Sequence, residues 1–260
     1  MTSNPIIGVA LGSGAARGLA HIGVLMALED NDIRVDIVSG SSAGALVGSL
    51  YCCGISPYIM SELAIQIERK MWVDLTVPRR GFIKGDRIEE LIKLLTKNRR
   101  IEDTKKRLSI IATDIKHSRK QVFTNGLIYK AVRASLSIPG VFVPVRLDDM
   151  VLVDGGVIDR VPASEVKKMG ADIVIAVDVG FSTQQGRVNH IFDVILQSID
   201  VMAKQILTNS IIDADIIIEP QLSHVGPSKF ELAEECIEIG YNSAITKIND
   251  IKKVISLAQK

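Results

Sequence analysis

Cysteine is scarce in this chain: three in 260 residues, two of them the neighbours Cys52 and Cys53. That count leaves no disulfide framework, and two cysteines on a small-residue helix read as core packing. An excess of one charge is missing as well. Lys and Arg number 31 against 30 Asp and Glu, a formal net charge of +1, so no nucleic-acid footprint is present and no nucleic-acid partner is expected. The basic clusters Arg79-Arg80, Arg99-Arg100 and Lys105-Lys106-Arg107 are short and read as solvated faces. No apolar run approaches the roughly 20 residues of a membrane span. The N-terminus lacks a basic stretch, and the apolar run Ile6 to Leu11 is too short for a signal peptide. The chain therefore reads as soluble and cytoplasmic. With 47% apolar and 23% charged residues it has an ordinary globular composition that leans hydrophobic. No repeat, low-complexity tract or linker interrupts it, and one domain over residues 1–260 is expected.

What is present is an alternation of short apolar strands and helices. Pro5 to Leu11 reads as a buried strand, followed by the glycine-rich stretch Gly12-Ser13-Gly14-Ala15-Ala16-Arg17-Gly18 and a helix over Leu19 to Glu29. A second strand (Ile33 to Val38) leads into Gly40-Ser41-Ser42-Ala43-Gly44, and a helix over Ala45 to Cys53 leads out. This β–loop–α–β–turn–α opening is the pattern of a parallel sheet. Ser56 caps a helix with Pro57 in its first turn and Ile59, Leu63, Ile67 and Met71 on one face. Trp72 to Lys84 reads as a loop. Asp86 caps the next helix, which carries Ile88, Leu91, Ile92, Leu94 and Leu95. Further strands are expected at Leu108–Thr113, Lys120–Thr124, Val151–Asp154, Asp172–Val179 and Ala214–Glu219. Further helices are expected at Ile128–Ser135, Val161–Met169, Val188–Ile212 and Phe230–Lys260, the last interrupted around Gly240.

Gly40 to Gly44 is a G-x-S-x-G sequence between a strand and a helix, the setting a nucleophile elbow requires. The turn lifts the Ser42 hydroxyl above the sheet end, and the following helix N-terminus favours developing negative charge. The loop Gly12 to Gly18 allows two readings: a phosphate cradle for a dinucleotide, or backbone donors for an oxyanion. A dinucleotide fold wants an acidic residue at the end of the second strand, where Val38-Ser39 runs straight into the elbow instead; the oxyanion reading is the better fit. No cofactor and no metal are expected. Ser42 needs a base. His21 falls inside the first helix and reads as structural, while His117, His190 and His224 lack catalytic context. Asp154, at a strand end before Gly155-Gly156, is the alternative, although Asp-Gly-Gly on its own reads as a plain turn.

Gly12 to Gly18, Gly40 to Gly44 and Asp154-Gly-Gly156, in that order, resemble the patatin-like phospholipases, specifically short bacterial proteins near the neuropathy-target-esterase branch. Ala134-Ser-Leu-Ser-Ile-Pro-Gly-Val-Phe-Val-Pro144 is similar to the family's segment before the Asp motif. The resemblance spans about Ile6 to Val179, and Ser13 stands where the family's first loop commonly has the middle of three glycines. It implies a three-layer α/β fold, a mostly parallel central sheet flanked by helices. It also implies a Ser42–Asp154 dyad without histidine, oxyanion donors among Gly12, Ser13, Gly14 and Ala15, and Arg17 either ordering the loop or meeting a substrate phosphate. The implied activity is hydrolysis of fatty-acyl esters of phospholipids or lysophospholipids. An acyltransferase or thioesterase on the same fold, or an interaction protein with little turnover, stands as the alternative. Pro57 to Phe82, with Trp72, Arg79 and Arg80, is the candidate edge for a transient membrane-surface contact.

Overall fold

Every residue of the first strand, β1 (Ile7–Leu11), is buried, which a strand tolerates only where both faces of its sheet are covered. The computed structural model describes residues 4–66, 81–180 and 212–259, together with 194, 195, 198, 199, 201, 202 and 204. β1 lies between β2 (Ile37–Ser41) and β7 (Ile173–Val177), parallel to both. Alternation then sorts its side chains. Ile7, Val9 and Leu11 join a large core with Leu25 and Leu28 of α1 (Ala20–Asp30) and Val47 of α2 (Ala43–Cys52). Ala10 faces the other way, against Val161, Ala163 and Val166 at α6 (Ala163–Lys168). The small side chains on this second face bring α6 close to the sheet.

The remaining strands are β3 (Arg107–Asp114), β4 (Arg119–Phe123), β5 (Val145–Leu147), β6 (Met150–Asp154) and β8 (Ile216–Ile218). The sheet runs β5-β6-β3-β2-β1-β7-β8, with β4 also paired to β3. Five strands are mutually parallel; β4, β5 and β6 join by antiparallel pairs. Helices, α5 (Ile128–Ser135) among them, cover both faces, so the expected three-layer α/β architecture with a mostly parallel sheet is present.

Several local expectations change. The helix at the C-terminal end, α7 (Ala233–Ala258), follows a short turn at Phe230–Leu232 and runs without a break through Gly240. Gly240 is there because a Cβ would sit 2.1 Å from the Ala20 carbonyl, and Gly23 of α1 is under the same constraint from Ile237 of α7. The two glycines let α1 and α7 touch backbone to backbone. The second strand starts later than expected, at Ile37, and runs into the elbow itself. β5 pairs with β6 through the two-residue turn Asp148-Asp149, and its brief, half-exposed sequence carries little strand signal. On α4 (Asp86–Leu95) the cap is Gly85 in the left-handed region (φ 86°), and Asp86 is the first helical residue. Leu94, one of the apolar residues this helix carries, is 74% exposed. On α3 (Pro57–Gln66) Ser56 does cap, its hydroxyl accepting the Ile59 N–H at 3.3 Å, but Ile59 faces solvent while Met60 is buried. Ile67, Met71, Trp72, Arg79, Arg80 and His190 lie outside the described residues, as does most of the helix expected over Val188 to Ile212. No helix among the described residues is long and apolar enough to cross a membrane. Cys52, Cys53 and Cys236 are free thiols, two of them buried, as core packing requires.

Candidate active site

The register of β3 places the two residues singled out by the motifs. At Ile110 and Ile111 one edge of β3 is taken by β2, ending at Ser41, and the other by antiparallel β4. β4 continues along its edge through Asp114, so β6, paired to Ala112–Asp114, occupies the edge that β2 has vacated. β2 arrives at Ser41 opposite Ile111, and β6 arrives from the opposite direction at Asp154 opposite Ala112. The two strands meet end to end on one edge, and Ser42 and Asp154 face each other across 112 residues of sequence. The Ser42 hydroxyl donates to Asp154 Oδ2 at 2.5 Å.

Each partner is held. Ser42 sits at φ 52°, ψ −120°, a conformation unfavourable for a residue with a Cβ and characteristic of a strained nucleophile turn. Its N–H donates to Ser135 Oγ at 2.8 Å. Gly44 is obligatory here, because a Cβ would lie 2.0 Å from the Leu11 carbonyl oxygen. Asp154 is fixed by four contacts. Oδ1 accepts the Gly156 N–H at 2.7 Å, its N–H donates to the Ser137 carbonyl at 3.0 Å, and its own carbonyl accepts Thr113 Oγ1 at 2.8 Å. The fourth is the Ser42 hydroxyl. Burial pushes the Asp154 carboxyl up to about 6, against the opposing effects of the Ser42 hydroxyl, the Gly156 amide, the Arg160 charge and the Ser13 hydroxyl. A carboxylate of that basicity accepts a proton near neutral pH far better than an ordinary aspartate does.

The glycine-rich loop divides into engaged and open amides. The N–H groups of Gly12 and Ser13, two of the four expected oxyanion donors, are donated to the Val177 and Arg160 carbonyls at 3.1 and 2.9 Å. Those of Gly14 and Ala15, and of Ala43 at the start of α2, have no partner among the described residues. Gly14, Ala15 and Ser42 line one small cavity. Ser13, in its unusual place, hydrogen-bonds through its hydroxyl to Ser41 at 3.1 Å and so joins the loop to the elbow. Arg17 is buried and directs Nε to the Gly14 carbonyl at 3.4 Å, ordering the loop while lining the same cavity.

Among the described residues no histidine hydrogen-bonds to Ser42 or Asp154. His21 is fully buried with Nε2 2.7 Å from the Gly12 carbonyl; a carbonyl only accepts, so Nε2 carries the hydrogen. Burial lowers its pKa to about 4, which leaves a neutral ring bracing the loop, as a structural histidine does. His117 is bound to Asp114 and His224 to Glu235. No cluster of three metal-ligating side chains occurs among the described residues.

Beside Ser42 opens an apolar cavity of about 200 Å³, walled by Leu46, Leu50, Met60, Leu91 and Phe142 among others. Several neighbours of Ser42 and Asp154 escape reading from sequence. Ser135 and Ser137 lie within the Ala134–Pro144 segment, whose similarity flagged it without assigning roles. Arg160 carries no local signal, yet its nearly buried side chain reaches the cavity that holds Ser42 and Asp154.

The patatin-like phospholipase family matches residues 9–167. The chain is 36% identical over 187 residues to lysophospholipase NTE1 of Yarrowia lipolytica, covering 68% of this chain and 13% of that protein. It is 37% identical over 180 residues to lysophospholipase NTE1 of Pyricularia oryzae, covering 67% and 12%. It thus spans about an eighth of the length of these relatives. Among solved structures, VipD from Legionella pneumophila superposes with a TM-score of 0.67 at 15% identity, over 95% of this chain and 67% of that one. The type III effector ExoU of Pseudomonas aeruginosa gives 0.53 at 14% identity, over 95% and 53%. At such identities the likeness to both effectors is one of fold. The extent of the family match and the identity to these relatives, on a chain with this sheet and these three loops, decide the matter: the chain belongs to the patatin-like phospholipase family.

Proposed function

We propose that the chain hydrolyses fatty-acyl esters of phospholipids or lysophospholipids, with Ser42 as nucleophile and Asp154 as its base. The observation that carries the reading is the 2.5 Å hydrogen bond from Ser42 to a buried, basic Asp154. It is supported by the apolar cavity beside Ser42, which suits an acyl chain, and by relatives named as lysophospholipases.

In this mechanism Ser42 Oγ attacks the ester carbonyl carbon as its proton passes to Asp154 Oδ2. The oxyanion is received by the open N–H groups of Gly14 and Ala15, joined by that of Ala43. Gly12 and Ser13, whose amides are engaged, hold the loop in place. Collapse of the tetrahedral intermediate breaks the ester C–O bond, and Asp154 returns its proton to the leaving alkoxide. A water then attacks the acyl-Ser42, Asp154 again taking the proton, and the fatty acid is released with Ser42 restored. Arg17 keeps the loop ordered and faces the leaving group. A transient contact with a lipid surface belongs to the same proposal, since the substrate resides there.

The test is direct. A fluorophosphonate probe is expected to label Ser42, and the labelled chain is expected to lose activity on a panel of phospholipids and lysophospholipids. Turnover of that panel that persists in the Ser42-labelled chain would refute the assignment.

The raised Asp154 pKa sets a pH profile. The base works ionised, so kcat/KM is expected to fall about tenfold per pH unit below about 6 and to level off above it. A profile flat to pH 4 would mean that Asp154 is not the titrating base.

The cavity sets chain-length preference. Ala64→Phe adds a ring to its wall. The ratio of kcat/KM for a long-chain over a short-chain ester is expected to drop on the order of tenfold, each excluded methylene losing its burial. An unchanged ratio would place the acyl chain elsewhere.

A further inference from the structure

Two cavities meet at Ser42. With the acyl chain in the apolar one, the leaving group must lie on the other side, in a smaller cavity of about 50 Å³ lined by Ser13, Gly14, Arg17, Asp154, Gly156 and Arg160. That is room for more than one water, with an opening toward solvent. Two arginines reach it, and both are almost completely buried, at 2% and 4% exposure.

Arg160 is positioned from three directions. Its carbonyl accepts the Ser13 N–H at 2.9 Å, which ties its backbone to the glycine-rich loop. Its Nη2 donates to the Gly180 carbonyl at 2.7 Å, and its Nε lies 4.0 Å from Asp178 Oδ1. The preceding Asp159 is anchored by Lys120 at 2.9 Å, and Lys120 also binds Glu165 at 2.5 Å. The guanidinium charge is felt at Asp154, where it opposes the effect of burial. A guanidinium is a rigid fork of five N–H donors, able to serve a backbone carbonyl and a phosphate oxygen together. Arg17 enters the same cavity from the glycine-rich loop.

We propose that Arg160, together with Arg17, forms an anion subsite that receives the phosphate of a glycerophosphodiester leaving group. The orientation of the substrate rests on the hydrolase reading above; the subsite itself rests on the placement of the two guanidiniums. Arg160 is then a specificity residue: it distinguishes a glycerophospholipid ester from a neutral ester with the same acyl chain.

The experiment compares lysophosphatidylcholine with a monoacylglycerol of the same acyl chain. Arg160→Gln is expected to lower kcat/KM on the phospholipid about 10- to 100-fold, the range for losing a charge-assisted hydrogen bond, and mainly through KM. The neutral ester should lose much less. Arg160→Lys, which keeps a charge but not the fork, should recover part of the loss, and it carries the comparison if the Gln variant does not fold. In parallel, Ser42→Ala chain is titrated calorimetrically with glycerophosphocholine and with inorganic phosphate; glycerophosphocholine should bind, and Arg160→Gln in that background should weaken it. Equal losses on both esters would make Arg160 a loop clamp and overturn the proposal, as would no loss on either. Binding of inorganic phosphate without glycerophosphocholine would also overturn it, leaving a bare-anion site. If neither ester is cleaved while glycerophosphocholine binding depends on Arg160, the hydrolase reading falls and the subsite stands.

Discussion

Ser42→Ala and Asp154→Asn each lower ester turnover by about three orders of magnitude or more, and the double variant is scarcely worse than either single one. That is the result expected of two residues acting as one unit. Ser42→Ala removes the attacking oxygen. Asp154→Asn keeps the shape and can still accept the Gly156 amide, but it cannot take a proton from Ser42. Stability separates this loss from damage to the fold. A carboxyl whose pKa rises on folding stabilises the folded state fully below its unfolded value near 3.8, and that contribution is lost as pH rises through about 6. Above that pH the ionised Asp154 is a burden on the fold of about 3 kcal/mol. Asp154→Asn removes the burden, so its melting temperature relative to wild type should be higher at pH 8 than at pH 4. Steady-state kinetics with thermal melts at the two pH values check both halves. An active Asp154→Asn chain would reopen the search for a base, and His21 would be a poor one, since it is fully buried and burial lowers its pKa to about 4.

The second large effect concerns the open amides. Loss of one oxyanion donor typically lowers turnover about 100- to 1,000-fold. Gly14→Pro deletes one such N–H, but the new side chain also needs room, because a Cβ on Gly14 would lie 2.2 Å from Val179 Cγ2. Trimming that neighbour relieves the clash, and proline additionally pulls a backbone that sits at φ −176° toward about −65°. In a Val179→Ala background, Gly14→Ala keeps the donor and has space for its methyl group, whereas Gly14→Pro lacks the donor. The Ala variant should retain most turnover and the Pro variant should lose it through kcat. Equal activities would remove Gly14 from the oxyanion hole and leave Ala15 and Ala43. NAD, FAD and ATP should produce no thermal shift in the parent chain; a shift at micromolar nucleotide would return the loop to the phosphate-cradle reading.

Sequence patterning was most informative where the backbone itself is constrained. Gly44 and the strand–turn–helix around Ser42 were legible because a Cβ at residue 44 meets the Leu11 carbonyl, a constraint that selects one residue type. The alternation of short apolar strands and helices likewise announced a parallel sheet. What stayed hidden depends on contacts distant in sequence. Gly240 looked like a helix stop, and only the approach of α1 shows it to be a packing notch. Ile59 looked like a core position on α3, but the cavity lies on the side of Met60 and Ala64. The amides of Gly12 and Ser13 looked as available as those of Gly14 and Ala15 until the β7 end and the Arg160 carbonyl were in place. Arg160 itself is an ordinary residue in an ordinary stretch, and its importance comes from which cavity it enters.

The shared edge of β3 also has a consequence for how the protein is made. During synthesis the elbow leaves the ribosome more than a hundred residues before Asp154 does. Until β6 is made and laid antiparallel on Ala112–Asp114, Ser42 lacks the carboxylate to which its hydroxyl donates. A chain cut short before β6, by a premature stop or by a protease, therefore carries Ser42 without that partner. On the hydrolase reading proposed above, the Ser42–Asp154 pair is thus incomplete until one long-range strand pairing has formed.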